Sequence, residues 1–398
     1  MHRLKDGQIT LALILAVSLP ATFSAHAAEP ERAIRLGNRT TAIAYQHQFH
    51  NEALKAWRRR APQVRLTRIR SSADGQLQSV LWYAPKVTGP RPLLVVLHSW
   101  SADFTQNLDI PYAEFALANG WAMIHPDFRG GDRRPQATAS DLANQDVIDA
   151  VTFARHHTTV DDDRIYLVGY SGGAMESLVL AGQHPELWAG VAAWGGIYDV
   201  AGWYHEDHGR DVHYRGEIAA SCGGVPDAGT PAEAECRKRS PMSFLAQGAG
   251  RVPVLIAHGL RDYTVHPHHA LSSYNALADP HDRIEGGDAR TIEHRRQIPA
   301  DLSASSSAPP FDELFQQAGA PLRLARHSRS VTLFLYDGNH DMVYNVALRW
   351  LSEQRRPHPA QAHAETERQA ARQPLAGARW TAPGPEARAA PGRNDRRN

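Results

Sequence analysis

From about residue 64 to residue 352, short continuous apolar runs alternate with stretches whose apolar residues recur at helical spacing. Leu93 to Leu97 reads LLVVL, with no polar residue, the pattern of a strand buried on both faces. Trp121 to Ile124, Ile165 to Val168, Val191 to Trp194, Val254 to Ala257 and Val331 to Leu335 repeat it. Val64 to Ile69 and Gln78 to Tyr83 predict an antiparallel pair that opens the sheet. Asp141 to Ala154 and Ala174 to Leu180 carry helix-spaced apolar residues. Strands alternating with helices predict the α/β class, a mostly parallel sheet with helices on both faces.

Two stretches interrupt that rhythm. Residues 201–250 are rich in aromatic, histidine and charged side chains, and residues 268–329 are polar, with Ser303 to Ser307 and Pro309-Pro310 as loop sequence. Both are expected to be insertions on the carboxyl side of strands, where they form the rim or a small lid of a site. The α/β domain is therefore placed at residues 64–353, after a helical lead-in at 28–63. Residues 354–398 hold Pro357, Pro359, Pro374, Pro383, Pro385 and Pro391 among alanine and arginine. A segment so poor in large apolar residues cannot offset its ordering entropy, so a disordered tail is expected.

The first residues change the picture of where the chain works. His2, Arg3 and Lys5 precede an uncharged apolar stretch from Ile9 to Pro20, and Ala25-His26-Ala27 follows with small residues at the positions a signal peptidase reads. The run is shorter than the roughly 20 residues that span a bilayer. A signal peptide at residues 1–27 is expected, and with it a periplasmic or secreted protein. Export puts Cys222 and Cys236 in an oxidising compartment, where a disulfide closing a loop of about 15 residues is worth about 3 kcal/mol. Two buried thiols are the alternative. Lysine and arginine number 43 against 42 acidic residues, a net charge of +1, so nothing in the charge balance points to nucleic acid or an anionic membrane as partner.

Candidate chemistry centres on Gly169-Tyr170-Ser171-Gly172-Gly173. It follows the strand Ile165 to Val168 directly and opens a helical pattern, the strand–turn–helix context of a nucleophile elbow. A serine hydroxyl needs a neighbouring base to take its proton, and this fold supplies acid and base later in the chain, in the order Ser, Asp, His. Asp262 lies just past the strand Val254 to Ala257, and His340 just past Val331 to Leu335. With 22 histidines in the chain, position decides. His258 and His266 compete for the base, and Asp199 and Asp341 for the acid. Two N–H donors must meet the developing oxyanion. Gly172 supplies one, and the loop His98-Ser99-Trp100-Ser101 the other, from Trp100 or Ser99. Tyr170, Trp203 and Tyr204 are candidate substrate contacts, the last two by stacking on a sugar ring. His205, Asp207, His208, Asp211 and His213 crowd one insertion, but their spacing does not match closed zinc sites. No metal and no cofactor is expected.

Residues from about 90 to 350 resemble the prolyl oligopeptidase type of α/β hydrolase. His98 to Ser101, Pro126-Asp127-Phe128-Arg129-Gly130, Gly169 to Gly173, His258 to Asp262 and Gly338 to His340 carry the likeness, with Ser99 standing where the usual pattern has glycine. The resemblance implies cleavage of an ester or amide through an acyl-serine intermediate. The oligopeptidases of that family carry a large β-propeller, and the stretch of about sixty residues before the sheet is too short for one. Secreted esterases of acylated plant polysaccharides also resemble this form. The expectation is an ester hydrolase acting on a small molecule, saccharide or peptide, with a peptidase as the alternative. An inactive α/β-hydrolase acting as a binding protein is the reading from another class.

Overall fold

The computed structural model describes residues 52–206, 213–303 and 310–356. The expected leader, much of the lead-in, nearly all of the tail, and Asp207, His208 and Asp211 lie outside the described residues.

Nine strands form one sheet in the order β1-β2-β4-β3-β5-β6-β7-β9-β8. They are β1 (Arg65–Arg70), β2 (Leu77–Tyr83), β3 (Arg91–Leu97), β4 (Ala122–Pro126), β5 (Val160–Tyr170), β6 (Gly190–Trp194), β7 (Val254–Gly259), β8 (Leu322–Ser328) and β9 (Val331–Tyr336). The six central strands run parallel, and β1, β2 and β8 are antiparallel at the two edges. This is the α/β-hydrolase architecture that the apolar runs predict. Every residue of β3, β4, β6 and β7 is buried, because helices cover both faces; Arg91, His125 and His258 are the polar residues among them.

The helices that matter for the site are α1 (Glu52–Arg60), α2 (Ile110–Asn119), α3 (Asp141–His157), α4 (Gly172–Gln183), α5 (Val200–His205), α6 (His213–Cys222), α7 (Pro231–Lys238) and α8 (His268–Leu277). Ser140 caps α3 by accepting the Ala143 N–H at 3.2 Å. Residue after residue of α4, from Gly172 to Gly182, is buried, so it is the central helix of the core. No helix among the described residues is long and apolar enough to cross a membrane.

The segment 201–250 is a small helical insertion with a core of its own. Trp203, Tyr214, Ile218, Cys222 and Cys236 pack together and onto Trp100, Met175 and Val179. The Cys222–Cys236 disulfide joins α6 to α7, with the Cα atoms 5.2 Å apart. The segment 268–329 differs from the polar insertion expected there. Leu271, Tyr274 and Leu277 of α8, Ile292 and Leu324 of β8 are buried in the main core. This segment is thus largely the crossover from β7 to β9, covering one face of the sheet and adding its last edge strand. Its apolar residues are few, but their spacing puts them on one face of α8.

Candidate active site

Strand β5 runs straight into the elbow. Ser171 adopts φ 56° and ψ −117°, a left-handed conformation that costs a non-glycine residue energy and persists only because the surroundings impose it. Its N–H is tied to Trp194 O at 2.8 Å. The turn is so tight that a Cβ on Gly169 would stand 2.1 Å from Gly173 O, which no other residue could tolerate. Strain and bonding together aim the Ser171 hydroxyl above the sheet, at the start of α4, whose N-terminal dipole favours negative charge.

Asp262 follows β7 and His340 follows β9, so parallel pairing brings both loops to the same end of the sheet as the elbow. His340 Nε2 lies 2.9 Å from Ser171 Oγ, and His340 Nδ1 lies 2.6 Å from Asp262 Oδ2. A carboxylate only accepts hydrogen bonds, so Nδ1 carries the proton and Nε2 presents its lone pair to the serine. Asp262 Oδ1 accepts the N–H groups of Thr264 and Val265, each at 2.9 Å. Burial of this carboxyl works to raise its pKa. The adjacent His340, with hydrogen bonds from His258 and His340, outweighs that and holds it well below the usual carboxylate range. Ser171 and His340 are only 3% and 6% exposed, so the serine lies buried in the loops rather than out on the surface.

The other candidates fall elsewhere. His258 Nε2 contacts Val265 O at 2.8 Å and Asp262 Oδ2 at 3.2 Å, behind the acid and not beside the serine. His266 sits among Glu206 and Glu293. Asp199 caps α5 through the Ala201 N–H, and Asp341 accepts the Asn339 N–H within its own turn. The loop after β3 packs against the elbow so closely that a Cβ on Gly172 would stand 2.6 Å from Trp100 N. The Ser99 N–H is already given to Gln106 Oε1 at 3.2 Å.

Three expected substrate contacts need correction or narrowing. Trp203 is 0% exposed. Its indole N–H donates to Thr264 O at 2.9 Å and its ring meets Trp100 edge-on at 4.9 Å, so no face remains for a sugar. Tyr170 is likewise fully buried, its hydroxyl donating to His340 O at 2.7 Å beneath the base. Tyr204 is half-buried against the insertion core. Of the crowded histidines and acids, only His205 and His213 are described. His205 approaches Pro226 O and Asp227, while the His213 ring lies tilted against that of Tyr214.

Two further groups at the site escaped the sequence reading. Gly195, just after β6, has φ +57°, and a Cβ there would come within 3.2 Å of the His340 ring and 3.6 Å of Asp262 Oδ2. The Trp194-Gly195-Gly196 turn at a strand's carboxyl end is the signal that could have found it. Asp132 is buried, takes the Thr138 N–H at 2.7 Å, and places Oδ2 within 2.7 Å of a Cβ on Gly172. Desolvation pushes its pKa up to about 8, against the pull of Thr138 hydrogen bonds and of Arg239. Neighbouring Glu176 is also raised well above the usual carboxylate range, first by burial and then by Asp132. No sequence pattern announces such a pair.

Fold and site together define the α/β-hydrolase class, with serine, histidine and aspartate joined in one array at the sheet's carboxyl edge. Residues 110–291, a little under half of the chain, match the model of the prolyl oligopeptidase family. Over 185 residues it is 25% identical to the uncharacterised peptidase YtmA of Bacillus subtilis, covering 46% of this chain and 64% of that one. Over 194 residues it is 23% identical to acetylxylan esterase A of Emericella nidulans, covering 46% of this chain and 61% of that one. The matched stretches thus span less than two thirds of either relative. The solved acylaminoacyl peptidase of Pyrococcus horikoshii aligns with a TM-score of 0.43 at 19% identity, over 54% of this chain and 34% of that one.

Proposed function

We propose that this protein is an exported esterase that cleaves an acyl ester, of a carbohydrate or polysaccharide, through an acyl-serine intermediate at Ser171. The continuous bonding from Ser171 through His340 to buried Asp262 carries this reading. Ser171 Oγ attacks the ester carbonyl as His340 Nε2 takes its proton, and the same nitrogen returns that proton to the departing alcohol. Water then attacks the acyl-serine with His340 as base, releasing the acid and restoring the hydroxyl. Asp262 fixes the imidazole tautomer and stabilises the imidazolium. The N–H groups of Gly172 and Trp100 hold the oxyanion. Trp100 is favoured over Ser99 because the Ser99 N–H is committed to Gln106. No step needs a metal or cofactor.

Likeness to acetylxylan esterase A supports ester and saccharide. The family match supports a second reading, amide cleavage by the same residues. Two measurements decide. A fluorophosphonate probe should label the wild type and not Ser171→Ala; an unlabelled wild type would leave the inactive binding protein. Turnover of acetylated xylo-oligosaccharides against aminoacyl amides then separates esterase from peptidase. For export, the secreted protein should begin near Ala28.

A further inference from the structure

Away from the serine, three segments distant in sequence bring carboxylates and imidazoles together. Glu206 follows α5 directly in the insertion after β6, His266 lies two residues before His268 at the start of α8, and Glu293 lies in the helical turn Thr291–Arg295. One ligand atom each from Glu206, His266 and His268 lies within 4.8 Å of the other two. From this convergence we infer a binding site for one divalent transition-metal ion of the zinc class, held by Glu206, His266 and His268.

The distances around His266 separate such a site from an ordinary ion-pair cluster. His266 Nδ1 stands 3.6 Å from Glu206 Oε2 and 3.6 Å from Glu293 Oε1. That is too long for a hydrogen bond. It is close to the roughly 3.4 Å between two ligands on one tetrahedral ion with bonds of about 2.1 Å. Glu206 Oε2 is buried and has no hydrogen-bond partner. His268 Nε2 lies 3.1 Å from Glu206 Oε1. On its other side, His268 Nδ1 faces Glu293 Oε2 at 3.4 Å, and that oxygen also takes the His268 backbone N–H at 2.9 Å. A carboxylate behind the far nitrogen of a histidine fixes the tautomer and turns the other nitrogen's lone pair to a metal. His269, 1% exposed, brings its Nε2 to within 2.8 Å of Glu206 Oε1. Its Nδ1 is occupied by the Tyr198 N–H, so it steers the carboxylate and is no ligand itself. Two imidazoles and a carboxylate are the donors that zinc and its first-row neighbours prefer. Side-chain exposures of 14% for Glu206, 20% for His266 and 40% for His268 leave a path for the ion and a position for water.

Bound there, the ion ties the helical insertion to the loop that holds the acid, since Thr264 and Val265 precede His266 and both bond Asp262 Oδ1. Its role is structural, bracing the site from the side. The test uses the full chain after chelator treatment, titrated with zinc chloride by calorimetry and with cobalt chloride by visible absorption. One zinc per chain is expected, with a higher melting temperature, and cobalt should give the intense bands of a four- or five-coordinate site. Glu206→Gln and His266→Ala should each weaken binding at least 100-fold, and Glu293→Gln 10- to 100-fold. His281→Ala, an exposed histidine elsewhere, should change nothing. Circular dichroism checks that the variants fold, and the cobalt spectrum of the wild type needs no variant. Binding that is unsaturable, or that survives Glu206→Gln and His266→Ala unchanged, comes from scattered histidines. It overturns the site and leaves an imidazole–carboxylate clamp.

Discussion

Replacing Asp132 by asparagine should flatten the fall of stability with rising pH. Asp132 is 1% exposed, and desolvation lifts its pKa from 3.8 to about 8. Glu217 adds to the rise, while Thr138 and Arg239 oppose it. Because the folded pKa lies above the unfolded one, the contribution to stability is whole below about pH 4. It is lost as pH rises towards 8, where the folded protein must finally release the proton. At about 1.4 kcal/mol per pH unit, the loss between pH 6 and pH 8 has a ceiling of about 3 kcal/mol, then levels off. Asparagine keeps the shape and cannot titrate, so the difference between wild-type and Asp132→Asn stability isolates this group from other titrations. Urea unfolding at fixed ionic strength from pH 5 to pH 9 measures it. The ionised carboxylate would also lie against Gly172, the proposed donor to the oxyanion. Wild-type kcat/KM should therefore fall above pH 8, and the variant's should fall less. Two stability curves that stay parallel within about 0.5 kcal/mol would refute the buried neutral acid.

Ser171→Ala and His340→Ala should each lower kcat by about 10⁴ to 10⁶, and the double variant should be no worse than either, since the residues act as a unit; additive losses in steady-state assays would break that unit. His258→Ala, which removes a group behind Asp262, should keep measurable turnover, and an inactive but folded variant would reassign the base. Gly195→Ala places a Cβ at φ +57° and 3.2 Å from the His340 ring. The left-handed conformation alone costs about 1 kcal/mol, and displacement of the ring should lower kcat at least tenfold; an unchanged kcat would show that the ring has room to spare. Cys222→Ser with Cys236→Ser should cost about 3 kcal/mol, read as a lower melting temperature, with the rate of fluorophosphonate labelling unchanged. A slower labelling rate would mean that the disulfide shapes the site itself.

The sheet was readable because burial on both faces fills the middles of β3, β4, β6 and β7 with apolar runs and keeps Arg91, His125 and His258 at or near strand ends. Edge strand β8 was not, because Arg323, Arg326 and His327 lie among its seven residues and only Leu324 and Ser328 are buried. Helix α8 hid for a similar reason, since HHALSSYNAL reads as polar until Leu271, Tyr274 and Leu277 are placed on one face. At the site, Ser171, Asp262 and His340 could be picked out because strand ends mark their places. Trp203 misled because an aromatic residue among polar ones looks exposed. The neighbours that bury it, Trp100 and Met175, come from distant parts of the chain. Glu206, His266, His268 and Glu293 span nearly ninety residues, and no local spacing encodes their meeting.

How Asp262 and His340 keep their register despite the long segment between them follows from the loops themselves. Leu260 N–H donates to Tyr336 O and Arg261 N–H to Gly338 O, each at 2.8 Å. The two loops therefore extend the β7–β9 pairing past the strand ends. A Cβ on Gly259 would stand 2.1 Å from Asn339 O, so the backbones are in contact where the acid and base depart. Tyr170, next to the serine, fastens the third loop through His340 O. The geometry of the array is thus fixed by short bonds within the sheet's carboxyl edge. The crossover of residues 268–329 contributes to it only through the strands it connects. Parallel sheets place successive loop ends side by side whatever length of chain joins them. The same logic explains why variation in the crossover and in the helical insertion can alter what reaches Ser171 while leaving the reacting atoms in place.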